Sequence, residues 1–313
     1  MRDDDHRAAG GRGAGPGLAH PAQLAVGVIG AGRAGTAMAA ALGRAGHRVV
    51  AASAVSQDSL NRISRSLPGA RVASPEEVAE AAALVLLTVP DDALPGLVSG
   101  LAATGVPLAG RLLVHASGRH GLAVLEPASR AGALPLALHP VMTFTGRPDD
   151  VEKMHGISFG VTAPDPLRPV AEALVVEMGG EAVFIAEEHR GLYHAGLASA
   201  ANHLVTLVTA SGDLLAKAGV PDPAKMLGPL LGAALENALT FGDAALTGPV
   251  ARGDADTVAV HMRAIAAAAP ESLGAYLALA RLTADRALAA GRLAGADAQR
   301  LLGVLAGDPG PAR

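Results

Sequence analysis

Cysteine is absent from the 313 residues, which excludes disulfides, thiolate nucleophiles and cysteine-held metals. Tryptophan is absent as well, and only two Tyr and four Phe are present. The core must therefore be built from Ala, Leu and Val, a composition that favours closely packed helices with small interfaces. There is no excess of positive charge: 25 Lys and Arg face 29 Asp and Glu, for a net charge of −4. No general nucleic-acid surface is expected from this balance. Nor is there an uninterrupted apolar run of about 20 residues, as a membrane span requires. The best candidate, 192–210, is broken by His194, Asn202 and His203. Residues 1–22 are rich in Gly, Ala, Arg and Asp and lack a signal-peptide core, so they read as a disordered tail on a cytoplasmic chain. The 11 histidines show no metal-binding spacing within a helix, and no metal is expected.

What is present begins with an apolar run, Val26-Gly27-Val28-Ile29, that leads into Gly30-Ala31-Gly32-Arg33-Ala34-Gly35 and then into an Ala-rich helical segment. Strand, G-x-G-x-x-G and helix in this order place a dinucleotide pyrophosphate on a helix N-terminus. Gly30 gives the tight turn, Gly32 the close approach to phosphate, and Gly35 the close packing of helix on sheet. The second strand ends at Ser53, where an NAD-preferring chain carries an acid for the ribose hydroxyls. Here Ser53 and Ser56 are followed by Arg62 and Arg65, a set that favours the 2′-phosphate of NADP(H). The competing reading is that both arginines are solvated surface residues.

Strands are expected at 24–29, 47–53, 71–73, 83–90, 112–115, 134–138, 157–162 and 182–185, alternating with helices. This alternation predicts an α/β fold, a doubly wound Rossmann-like domain over residues 23–186. Ser74-Pro75-Glu76-Glu77 is a helix start, with Ser as N-cap and Pro at the first helical position. From residue 187 onward the pattern is helical, over 187–218, 222–241, 254–268, 271–290 and 295–305. Residues 187–313 therefore read as an all-α substrate and dimerisation domain. Five Ala- and Leu-rich helices in so small a domain would leave apolar faces exposed, which points to a homodimer.

In open α/β sheets ligands sit beyond the carboxyl ends of the strands. Thr88 and Pro90, at the end of the fourth strand, lie where a cofactor ribose and nicotinamide would pass. Two strands end in histidine, His115 before Ala116-Ser117-Gly118 and His139 before Pro140. Each can move a proton near neutral pH or serve as a structural residue bonded to loop backbone. Ser117 reads as an oxygen ligand or a turn residue. In the first long helix of the second domain, His194 and Asn202 fall within one arc of about 80° at helical pitch. They either face the nicotinamide or bond helix to helix, whereas Tyr193 and His203 read as structural. Arg252, in the loop Thr247-Gly248-Pro249-Val250-Ala251-Arg252-Gly253-Asp254, can hold a substrate carboxylate or pin its own loop. His261 is a weaker candidate.

Taken together, Gly30 to Gly35, His115-Ala116-Ser117-Gly118, His139-Pro140 with Phe144, Tyr193-His194-Ala195 with Asn202, and Leu246-Thr247-Gly248-Pro249 with Arg252 resemble a known group. It comprises Rossmann-like proteins with a C-terminal helical domain of unknown function, within the superfamily of 6-phosphogluconate dehydrogenase and ketopantoate reductase. The resemblance implies a nicotinamide cofactor, a helical domain that commonly dimerises, and reduction of a small carbonyl or imine. Some members are similar to an alternative ketopantoate reductase. The chain departs from conventional ketopantoate reductases, which use a helix Lys as proton donor. Here that helix has no Lys before Lys217.

The expectation is an NADPH-dependent reductase of a small 2-oxo acid, with ketopantoate the first candidate. His194 would donate the proton, Asn202 orient the substrate and Arg252 hold its carboxylate. The alternatives are an imine reductase of the pyrroline-carboxylate type and a non-catalytic NADP(H)-binding regulatory protein.

Overall fold

A computed structural model describes residues 23–307. The tail expected at residues 1–22 lies outside them. The chain divides into two compact units, one running to Leu197 and the next beginning at Ala198. That division falls eleven residues beyond the boundary at 186 expected from composition.

The first unit is an eight-stranded sheet in the order β3-β2-β1-β4-β5-β6-β7-β8. Its strands are β1 (Ala25–Ile29), β2 (Arg48–Ser53), β3 (Arg71–Val72), β4 (Leu84–Leu87), β5 (Leu112–His115), β6 (Leu134–Pro140), β7 (Ser158–Thr162) and β8 (Glu181–Phe184). The central strands are apolar at consecutive positions because both faces of the sheet are covered. Val26, Val28, Leu84, Leu86 and Val114 face one core. Ile29, Val85, Leu87 and Leu113 face the other, as the two-residue period of a strand requires.

Helices α1 (Arg33–Arg44), α2 (Gln57–Ser66), α3 (Pro75–Ala81), α4 (Leu94–Ala103), α5 (Glu126–Arg130), α6 (Asp150–Lys153) and α7 (Arg168–Glu177) make the remaining connections. The expected helix start at Ser74 is a full capping box. Ser74 accepts from the Glu77 amide, and the Glu77 side chain accepts from the Ser74 amide. Neighbouring strands are parallel throughout except at one junction, where β7 runs antiparallel to β6. The connection between them carries α6, and the two strands pair right up to its ends: the Val141 amide donates to the Ser158 carbonyl at 3.0 Å. His139 and Pro140 prolong β6 past its expected end, so His139 lies inside the strand, opposite Gly160.

The helix expected over 187–218 forms in four pieces: a 3-10 turn (Glu187–His189), α8 (Arg190–Ala198), a π-helical turn (Ser199–His203) and α9 (Leu204–Lys217). The wider π turn removes the uniform pitch on which the arc shared by His194 and Asn202 was based. The second unit continues with α10 (Pro223–Phe241), α11 (Ala255–Ala268), α12 (Pro270–Ala289) and α13 (Gly295–Leu305). Its core is small and aliphatic, with Val258, Ala284, Ala287 and Leu301 at the centre. Among the described residues, no helix is long and apolar enough to cross a membrane.

Candidate functional site

The glycine turn is fixed by neighbouring strand ends. Gly30 has φ +84°, a conformation glycine adopts without penalty. The Gly30 and Ala31 amides both donate to the Ser53 carbonyl, at 3.1 and 2.8 Å. Ser53 thus serves the turn through its backbone, and its side chain is buried. The Thr88 hydroxyl donates to the Gly30 carbonyl at 2.8 Å, so Thr88 braces the turn from the adjacent strand. A Cβ on Gly35 would collide with that same hydroxyl, which is why helix and strand can approach here only over glycine. Pro90 is exposed, and its carbonyl accepts from the Ala93 amide at 3.0 Å.

Helix α1 has Gly32 as its N-cap and no side-chain cap. The first-turn amides of Arg33, Ala34 and Gly35 therefore face outward with the positive end of the helix behind them, a geometry suited to phosphate.

A second group of residues forms at the carboxyl ends of β5 and β6. His115 is 0% exposed. Its Nδ1 accepts from the Ser117 amide at 3.2 Å, and its Nε2 bonds the Gly121 carbonyl at 2.9 Å. With both ring nitrogens occupied, His115 shapes the 117–121 turn. Burial lowers its pKa from 6.5 to about 4, keeping the ring neutral. Ser117 is a turn residue: its hydroxyl accepts from the His120 amide at 3.1 Å.

His139 is half-buried, and its Nδ1 lies 2.8 Å from the Tyr193 hydroxyl. Burial first, then the nearby Arg190 and His194, lower its pKa to about 4. Burial raises the Tyr193 phenol, with Arg190 and a backbone bond to Gly160 opposing. The His194 ring stands edge-on to His139 with centroids 6.3 Å apart. Two glycines make room for this cluster. A Cβ on Gly118 would come within 2.6 Å of His194 Cδ2 and 3.0 Å of His139 Nε2, and a Cβ on Gly160 would collide with the Tyr193 hydroxyl.

Beneath the cluster lies Arg190, only 1% exposed. Its Nε donates to the His120 carbonyl at 2.9 Å and its Nη1 to the Gly160 carbonyl at 3.0 Å, while Nη2 donates to the Ser117 carbonyl. One planar guanidinium thus binds the β5 turn and β7 to the start of α8. Its carbon sits 5.5 Å from the centroid of the Tyr193 ring. Glu187, one turn earlier, accepts from the Leu122 and Ala123 amides at 2.6 and 3.0 Å.

Of the expected site residues, His115, Ser117, His139 and His194 come together in the first unit, the first two as scaffold. Phe144 is partly buried against the core. Asn202 lies exposed in the π turn of the second unit. Arg252, also exposed, donates to the Thr247 carbonyl and so pins its own loop, while Asp254 caps α11 by accepting from the Thr257 amide at 3.1 Å. His261 pairs with the Tyr276 hydroxyl at 3.1 Å.

Tyr193 and Arg190 were not singled out as functional from sequence. Tyr193 carried a usable signal, being one of two tyrosines in the chain and adjacent to His194. Arg190, in a Glu-Glu-His-Arg run, carried none. Among the described residues, no cluster of His, Asp or Glu suited to a metal ion occurs.

A Rossmann-like family model matches residues 13–140, and that of a domain of unknown function, DUF2520, matches residues 157–283. No curated protein matches the chain. Among solved structures, the chain is similar to a provisionally named NADP oxidoreductase of Bacteroides fragilis, with 22% identity and a TM-score of 0.71 over 84% of this chain and 98% of that one. It is also similar to an imine reductase of Streptomyces aurantiacus, at 21% identity and TM-score 0.58 over 89% and 99% of the two chains. A third is the pyrroline carboxylate reductase of Plasmodium falciparum with NADP bound, at 14% identity and TM-score 0.54 over 80% and 97%. At these identities the likeness establishes a common fold.

Proposed function

We propose that this chain, which belongs to the Rossmann-like proteins carrying a DUF2520 domain, is an NADP(H)-dependent oxidoreductase that reduces a small carbonyl or imine. The observation that carries the reading is the pairing of two features on one sheet edge. One is the braced glycine turn before the uncapped start of α1, and the other is the neutral Tyr193–His139 pair at the carboxyl end of β6. The solved structures named for NADP, imine and pyrroline-carboxylate chemistry support the same class.

When bound, NADPH supplies the hydride that adds to the carbon of the C=O or C=N group. The chain must supply the proton for the oxygen or nitrogen. With its proton on Nδ1, His139 donates to the Tyr193 oxygen and leaves the phenol O–H free to face the substrate. Tyr193 then gives up that proton, and the phenolate left behind is stabilised by the His139 N–H and the Arg190 guanidinium. Burial holds His139 neutral down to about pH 4 and keeps the Tyr193 phenol protonated, so the pair carries no charge across the physiological range. His194 borders the same space beside Gly118.

Two substrate classes separate the readings of this site. A 2-oxo acid such as ketopantoate needs a cation for its carboxylate, and the cluster's one buried cation, Arg190, is committed to backbone carbonyls. That commitment favours a cyclic imine. Loss of reduced-nicotinamide absorbance with ketopantoate, and separately with a cyclic imine, tests both, with NADH run in parallel. Turnover of either class upholds the proposal. Cofactor binding with no turnover of any carbonyl or imine overturns it.

The proposed assembly is a homodimer through the second unit. Helix α9 has no buried residue, and α10 buries only Leu227. Leu239 and Phe241 are 80% and 60% exposed. Apolar helices left uncovered to this degree are suited to a second copy of the same surface.

A further inference from the structure

The β2 terminus, where a discriminating acid or base would follow the glycine fingerprint, reads Ser53-Ala54-Val55-Ser56 and carries no charge. Cations arrive instead from other elements. A cavity of about 740 Å³ runs beside α1, lined by Arg33, Arg44, Arg48, Arg62, Arg65 and Arg147, with no carboxylate in its wall. Arg44 is neutralised by Glu152 at 2.6 Å. Among the described residues, Arg33, Arg62, Arg65 and Arg147 have no such partner within ion-pair distance.

Three of these converge at the cofactor end. Arg33 is the first residue of α1, directly after the Gly32 N-cap. A Cβ placed on Gly146 would lie 3.2 Å from Arg33 Cγ and 3.5 Å from Arg62 Cδ, so the two side chains flank one glycine, next to Arg147. The loop carrying Gly146 and Arg147 is held by Asp150, which is 0% exposed. Its carboxylate accepts from the Thr145 and Gly146 amides at 2.9 and 2.7 Å and from the Thr145 hydroxyl at 2.8 Å. Arg62 is steered by Ser59, to whose hydroxyl its Nη2 donates at 2.7 Å, and its Nε is buried without a partner. Like charges held together with an unsatisfied N–H are costly unless an anion joins them.

We propose that Arg33, Arg62 and Arg147 form a three-element clamp for the 2′-phosphate of NADP(H), taking the place of a β2-end determinant. A phosphate monoester offers the dianion and the several acceptor oxygens that guanidinium forks match. The ribose it belongs to must lie close to the α1 N-terminus, which already receives the pyrophosphate under the proposed function. This inference rests on that reading. Asp150 is a positioning residue, acting through the loop that presents Arg147.

Calorimetric titration of the full chain with NADPH, NADH, adenosine 2′,5′-bisphosphate and 5′-AMP tests the clamp. The wild type is expected to prefer the member of each pair that carries the 2′-phosphate. Arg147→Gln, at an exposed position, and Arg62→Gln should each weaken NADPH and the bisphosphate by about tenfold, leaving NADH unchanged. Equal losses for NADPH and NADH, or variants that bind NADPH like the wild type, overturn the clamp. So does a wild type that binds NADPH and NADH alike, while dinucleotide binding stands. A wild type that binds neither dinucleotide overturns the proposed function and the clamp together. The wild-type comparison does not depend on how any variant folds.

Discussion

The Tyr193 hydroxyl and His139 Nδ1 are 2.8 Å apart although 54 residues separate them in the chain. One belongs to the segment matched by the DUF2520 model and the other to the Rossmann-like segment. If the phenol is the proton donor, Tyr193→Phe keeps the ring and removes the proton. Turnover should fall by about 100-fold or more, with NADPH affinity unchanged by calorimetry. Turnover within a few-fold of wild type would remove Tyr193 from the chemistry.

Arg190 predicts a stability effect. Replacing it by Met retains much of the volume but leaves the Ser117, His120 and Gly160 carbonyls without their donor. Unsatisfied buried acceptors cost about 1–3 kcal/mol each, so Arg190→Met should lose about 3 kcal/mol or more in urea unfolding. Arg190→Lys should recover little, because an ammonium cannot reach three carbonyls in a plane.

His115 predicts a pH dependence. Its native pKa is about 4 against an ordinary 6.5. Between those values the unfolded chain binds a proton that the native chain does not. Stability from this group is therefore complete above about pH 6.5 and is lost as pH falls toward 4, for a total of about 3 kcal/mol. His139 shifts in the same direction for the same leading cause. Urea midpoints measured from neutral pH downward should fall in this window, and a flat profile would contradict the burial argument.

Gly160 and Tyr193 should be coupled. A Cβ at residue 160 collides with the phenol, so Gly160→Ala should cost about 1–3 kcal/mol in the wild type. The same substitution in a Tyr193→Ala background should cost far less. Equal costs in the two backgrounds would show that the strand, not the ring, demands glycine.

The exposed helices of the second unit make the last prediction. Sedimentation at micromolar concentration should give a dimer, and Leu230→Glu with Leu239→Glu should give monomers. A monomeric wild type would refute the proposed assembly.

Much of the first unit was legible because its signals are local. The fingerprint at Gly30 to Gly35 lies between a strand and a helix that their own residues specify, and the unbroken apolar run of β4, Leu84 to Leu87, marks a strand by itself. The capping box at Ser74 needs only four neighbouring residues. The reversal at β7 was not legible, since nothing in Ser158 to Thr162 encodes direction. The π turn was hidden for a similar reason: Ser199 to His203 fits regular helical pitch. The candidate site was half visible. His139 and His194 could be picked by residue type and strand position. Arg190 looks like a solvated charge near a helix start until the turn at 117–120 closes over it. Arg33 and Arg147 are 114 positions apart by number, and no spacing rule connects them.

The grip of Arg190 also bears on how such chains can be recombined. The junction between the two matched families falls between residues 140 and 157, yet the guanidinium on one side holds carbonyls of Ser117 and His120 on the other. A chimera joined there, with its halves taken from different relatives, inherits a hand from one parent and a handle from the other. It should assemble only where both parents shape that turn alike, whereas a joint at 197/198 would transfer the whole grip intact.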